Sequence, residues 1–153
     1  MIQRIQTIYL LVSLVLIVLI FVVPIAHLTY NSEQFTTFRA IGFYDNASGT
    51  YSVQTLSVAI LMAVTISLYV ISILLYKRRV IQGRICIINI ILLAGLLALF
   101  IYYVVFFVQR VPGVTWSPGL SFVFPPIAII LTWLAFRGIR KDELLVKLSD
   151  RIR

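Results

Sequence analysis

Charge is scarce in this chain: of its 153 residues only 12% are Asp, Glu, Lys or Arg, and acidic residues number just 5. So little charge excludes an intrinsically disordered segment, which stays open through polarity and net charge. Cysteine occurs once, as Cys86, so no intrachain disulfide framework and no dithiol redox cycle can be built. Histidine is also single, and His27 alone falls short of the paired His or Cys ligands of ordinary zinc sites. Neither a Gly-rich phosphate loop nor a dinucleotide-binding glycine pattern is present, so no nucleotide or other cofactor is expected. The long apolar runs hold no Asp or Glu, a lack that argues against ion-coupled transport.

What the chain has in abundance is hydrophobicity, 61% of its residues with a mean hydropathy of +1.06. Soluble domains are about half apolar and about a quarter charged, so an integral membrane protein is expected. A bilayer core of about 30 Å needs about 20 apolar helical residues. Four uncharged runs qualify: residues 8–26, 54–76, 85–108 and 120–136. Their many β-branched residues would favour strands in water, but lipid satisfies no open sheet edge, so helix is the expected state. The first run is too long for the apolar stretch of a signal peptide, and Pro24-Ile25-Ala26 is a poor cleavage site. The expected fold is an all-α, four-transmembrane-helix bundle forming one membrane domain over residues 1–153.

Orientation follows from the basic residues, 13 in all. Arg4, Lys77, Arg78, Arg79, Arg84, Arg137, Arg140, Lys141, Lys147, Arg151 and Arg153 fall on the side shared by both termini and the 77–84 loop. Only Arg39 and Arg110 fall opposite. By the positive-inside rule both termini are cytoplasmic, in a bacterial inner membrane. The net charge of +8 is then a topology signal, with anionic lipid headgroups as partners of the basic rim and no nucleic acid.

The outer loops, 27–53 and 109–119, carry β-prone runs. Residues 35–44 and 50–53 flank the turn-like 45–49, which predicts a hairpin, and 111–116 could cover or extend it. Two readings of the loop aromatics stand open: an interfacial belt, or a partner surface made of Phe38, Phe43 and Trp116. The tail, 137–153, spaces Leu144, Leu148 and Ile152 by four and pairs Glu143 with Lys147, so a short amphipathic cytoplasmic helix is expected.

Small residues should mark the helix contacts: Ala59, Ala63 and Ser67 in the second span, Ala94, Gly95 and Ala98 in the third, Ala128 and Thr132 in the fourth. The first span, with only Ser13, should be the most peripheral or the most knob-like. Asn89 is the candidate intramembrane polar contact, expected to bond a neighbouring helix.

The two ends of the chain, Met1-Ile2-Gln3-Arg4-Ile5-Gln6 and Ile139-Arg140-Lys141-Asp142-Glu143 with Asp150-Arg151-Ile152-Arg153, resemble a family of small four-span Bacteroidota proteins known as a domain of unknown function. The resemblance implies an inner-membrane protein and brings no activity with it. It makes Gln3, Arg4, Gln6, Arg140, Asp142, Glu143, Asp150 and Arg151 candidates for mutual contacts beneath the bundle. Together these observations favour a non-enzymatic accessory or scaffold subunit, with an envelope protein or a second copy as partner. The alternatives are a small-solute or lipid channel lined by Ser57, Thr65, Ser67, Asn89, Tyr102 and Tyr103, and a lipid-headgroup enzyme needing His27, Glu33 and Asp45 to converge.

Overall fold

A computed structural model describes residues 2–30, 33–46, 48–76, 78–110 and 113–151. Side chains of residues 2–4, 30, 33–35, 52–54 and 145–151 lie outside that description, although their backbone belongs to helices or strands. The chain is mostly helical: α1 (Ile2–Leu19), α2 (Leu56–Leu74), α3 (Arg79–Arg110) and α4 (Phe124–Arg151), the last preceded by a 3-10 turn, Leu120–Val123. Three segments, Leu56–Leu74, Arg79–Arg110 and Leu120–Leu144, are long and apolar enough to cross a membrane, while Ile5–Leu19 in α1 is a shorter apolar helix.

The connections at one end form a sheet of β1 (Ala26–Tyr30), β2 (Glu33–Phe38), β3 (Gly42–Asp45), β4 (Tyr51–Gln54) and β5 (Val114–Pro118). Its order is β4-β3-β2-β1-β5, and every pairing is antiparallel. The expected hairpin is β3–β4, closed at the 45–49 turn by Gly49 at φ 69°. The 35–44 run divides into two strands at Arg39–Ile41, and the second loop extends the sheet by laying β5 against β1. The fold is therefore helical with a sheet cap, where the sequence predicts all-α with one hairpin.

Three helix boundaries also differ from expectation. α1 occupies 2–19 where a span over 8–26 is expected. Beyond Leu19 the backbone tightens into i+3 bonds, Phe21 N–H to Val18 O at 3.1 Å and Val22 N–H to Leu19 O at 3.0 Å, before Pro24 and β1. The 77–84 loop shrinks to a turn at 75–78, because nothing in Arg79-Val80-Ile81-Gln82 breaks a helix; charge limits a span, not the helix that carries it. For the same reason the tail continues α4 through Arg151 as one rod.

Each helix buries a seam spaced alternately by four and three residues. The seams are Gln6, Leu10, Ser13, Ile17 and Ile20 around α1; Val58, Met62, Thr65, Tyr69 and Ser72 in α2; Gln82, Cys86, Asn89, Leu93 and Leu96 in α3; Ala128, Thr132, Ala135, Ile139 and Asp142 in α4. This is the 3.5-residue period of antiparallel bundle packing. The surface outside the seams is apolar, as lipid contact requires: Ile8, Ile60, Ile91 and Ile130 are all more than half exposed. The small-residue expectation holds for Ala128 and Thr132 and for Gly95, which faces Leu61 of α2; Ala63, Ser67, Ala94 and Ala98 face outward. Nor is α1 peripheral. It packs along α4 more extensively than any other pair of elements, because Ala128, Thr132, Ala135 and Gly138 present a low surface to it.

Candidate functional site

The two ends of the bundle differ in chemistry. At the sheet end, Phe38 and Phe43 stack at 4.6 Å between centroids, Phe43 stacks on Phe107 of α3 at 4.5 Å, and Phe38 meets Phe100 edge-on at 6.1 Å. Both loop phenylalanines are fully buried. They are the glue between sheet and bundle, and this corrects their assignment to a partner surface: an isolated small sheet is marginal, so its aromatics turn inward to anchor it. Of that trio only Trp116 on β5 is exposed. Gly119 is required here because a Cβ would come within 2.5 Å of Pro24 O and 2.9 Å of Ile25 O.

At the opposite end the polar groups gather. Gln6 Nε2 donates to Asp142 Oδ2 at 2.8 Å, joining the start of α1 to the last third of α4 in a buried contact. Both residues were candidates for contact between the chain ends. Gly138 gives the Gln6 side chain its space, since a Cβ there would lie 3.0 Å from Gln6 Cγ and 3.1 Å from Nε2. Of the other candidates at this end, Arg140 is exposed with its guanidinium over the Phe136 ring at 5.6 Å, and Glu143 is half-buried. The side chains of Gln3, Arg4, Asp150 and Arg151 lie outside the described residues.

Two cavities flank the first turns of α3. A groove of about 520 Å³ lies between α1 and the α2–α3 turn, lined by Gln6, Thr7, Ile8, Leu11, Tyr76, Arg79 and Gln82. A second, of about 340 Å³, lies between α3 and α4, with Arg84, Arg140 and Glu143 on its walls. The larger falls in the size range of small-molecule sites. Thr7, Tyr76, Arg79 and Gln82 were not among the candidates, because nothing local in sequence shows that the start of α1 faces the α2–α3 turn. The available signal was periodicity: Gln82 lies seven residues before Asn89, on one seam with Cys86.

Midway along the bundle a polar layer crosses the helices. Thr132 Oγ1 donates to Ala128 O at 2.6 Å, which leaves Tyr69 Oη as the donor in its 2.6 Å bond to Thr132. Ser72 Oγ lies 3.9 Å from Cys86 Sγ. Asn89 is fully buried, yet among the described residues neither Nδ2 nor Oδ1 has a partner, so the expected interhelical bond is not made.

The channel lining does not assemble. Thr65 and Asn89 are buried, whereas Ser57, Ser67 and Tyr102 are exposed; the exposed Ser57 bonds Tyr103 at 2.6 Å, and Ser67 Oγ returns to Ala63 O. Neither of the two cavities is lined by Asn89. The acid-base set does not converge either. Asp45 aligns with Thr36 and through it with Leu28, while His27 aligns with Thr37 and Tyr44, so the pair sit two strands apart, about 10 Å, in adjacent rows that face opposite ways. The Glu33 side chain lies outside the described residues. Among the described residues no three His, Cys, Asp or Glu side chains come together as a metal site.

A sheet-capped helical bundle with three helices long and apolar enough to cross a membrane is consistent with a membrane protein. Residues 2–152 match the family described as Domain of unknown function (DUF4293), and the chain belongs to that family. No curated protein matches it.

Proposed function

We propose that the chain is a four-span inner-membrane protein with both termini in the cytoplasm. It acts by binding, without catalysis, as an accessory or scaffold subunit of an envelope assembly. The carrying observation is the asymmetry of its ends. The sheet end is closed by stacked aromatics, while the far end carries Arg78, Arg79, Arg84, Arg137, Arg140 and Lys141, of which Arg79, Arg84 and Arg140 line two cavities. Supporting a fourth span, α1 lies along α4 and turns Ile5, Ile8, Leu11, Val12, Val15 and Val18 outward. Its 18 residues cover about 27 Å, close to the bilayer core.

Single-cysteine labelling with a membrane-impermeant maleimide tests the orientation. Asn46→Cys should react in intact cells with a permeabilised outer membrane, and Arg78→Cys only after the inner membrane is opened; the reverse pattern refutes it. Native mass spectrometry after gentle extraction tests the subunit role. A partner at fixed stoichiometry, lost on Arg84→Glu/Arg140→Glu, is the expected result, and a bare monomer rejects it.

A further inference from the structure

Among the polar residues at the far end, Gln82 stands apart. It is only 4% exposed, it lines the larger groove, and among the described residues its side-chain amide has no hydrogen-bond partner. Its amide is not sealed off but opens onto the groove, where a ligand oxygen can replace water as its partner. The same groove receives the first turn of α3. Gln82 N–H is already bonded to Arg78 O at 3.0 Å, and the N–H groups before it are those that a helix start leaves without intrahelical acceptors. Such a helix start attracts anions, the more so with the Arg79 guanidinium beside it.

Among the described residues no acidic side chain lines this groove. The carboxyl group of Asp142, the acidic group bonded nearest to it, is engaged by Gln6 Nε2. The remaining wall is apolar: Ile8 and Leu11 are 56% and 50% exposed, on the outward face of α1. One groove thus joins an anion-attracting polar end to an apolar wall that opens outward between helices.

We propose that this groove binds one anionic phospholipid. Its phosphate sits at Arg79 and the first turn of α3, Gln82 donates its amide N–H to a phosphate or ester oxygen, and one acyl chain follows Ile8 and Leu11. Basic pockets between spans at the cytoplasmic face are suited to such headgroups. The assignment rests on the membrane orientation proposed above. A free phosphate would satisfy the polar end alone and leave the apolar wall unused, so the lipid accounts for the whole groove.

The test uses the full chain in nanodiscs of equal phosphatidylcholine and phosphatidylglycerol, followed by release into native mass spectrometry. One phosphatidylglycerol should remain on each protein, with phosphatidylcholine retained far less. Arg79→Gln and, separately, Gln82→Leu should lower its retention about tenfold, the scale of one charge-assisted hydrogen bond. Arg39→Gln, exposed at the sheet end, should leave it unchanged. Gln82→Leu keeps the side-chain volume, so it reads the site even where Arg79→Gln fails to fold. Retention in bilayer proportions, or equal loss from all three variants, overturns the proposal. Displacement of the lipid by excess inorganic phosphate also overturns it, in favour of a free-anion site. A protein that enters the nanodisc but keeps no lipid refutes the groove alone, while one absent from the membrane fraction of cells refutes the orientation on which it rests.

Discussion

The sheet end and the far end solve opposite problems with very different amounts of chain outside the helices. At the sheet end, polypeptide outside the helices must be held by something, and it is held by Phe38, Phe43, Phe100 and Phe107 in direct ring contact. The far end has almost no chain outside the helices, the α2–α3 turn being only 75–78, and its contacts are amides, a carboxyl group and cations around two cavities. Stacked rings fill the space between sheet and helices, whereas two cavities open where the packing is polar and sparse. Phe38 and Phe43 of the outer loops are therefore structural, and the two cavities lie at the end whose sequence looks like a mere topology signal.

The widest separation between the ends should appear on truncating the stacked rings. Phe43 contacts Phe38 on one face and Phe107 on the other and is fully buried. Phe43→Ala should cost about 3–5 kcal/mol, the usual scale for an aromatic core truncation. It should free the sheet for limited proteolysis while helical circular dichroism is retained. A melting temperature unchanged in detergent would mean that the sheet does not depend on its aromatic anchor. A smaller loss is expected at the far end from Asp142→Ala, which strands the buried Gln6 donor: about 1–3 kcal/mol. Adding Gln6→Leu should recover part of it, because the stranded amide is then gone. Non-recovery would show that Asp142 serves something other than this bond.

The contrast between the ends was only partly legible in sequence, for physical reasons that differ by region. Helices were legible because lipid leaves a long apolar run no other way to satisfy its backbone. Which face of each helix is buried was not, because lipid is as apolar as a packing partner: Met62, Leu93 and Leu96 turn inward while Ile60, Ile88 and Ile91 turn outward. The readable cue is the polar subset at four- and three-residue spacing, Thr65, Tyr69 and Ser72 or Gln82, Cys86 and Asn89, since lipid rejects those side chains. Sheet formation was legible in the 45–49 turn, but β1 was hidden, because Ala26 continues the first apolar run and only Pro24 hints at a break. Gln6 and Asp142 were named as contacts from the resemblance at the chain ends. The groove beside Gln6 was not named, since it needs α1 to face the α2–α3 turn, a tertiary fact.

The smallest effect, and one of opposite sign, is expected between the two ends. Asn89 lies in the α3 seam one turn beyond Cys86, and Cys86 faces Ser72; antiparallel packing then places Asn89 at the level of Tyr69. Tyr69 already spends its hydroxyl proton on Thr132, whose own proton goes to Ala128 O. Among the described residues the Asn89 amide has neither donor nor acceptor, an expense that interhelical bonding normally removes. Asn89→Leu replaces it with an apolar side chain of comparable length and should stabilise the bundle by about 1 kcal/mol, the scale of one unmet buried hydrogen bond. The measurement is the denaturation midpoint in mixed micelles, with Leu93→Ala as a control that must destabilise, because it only removes packing. A lower midpoint for Asn89→Leu would show that the amide is satisfied in the folded protein and contributes to holding the middle of the bundle together.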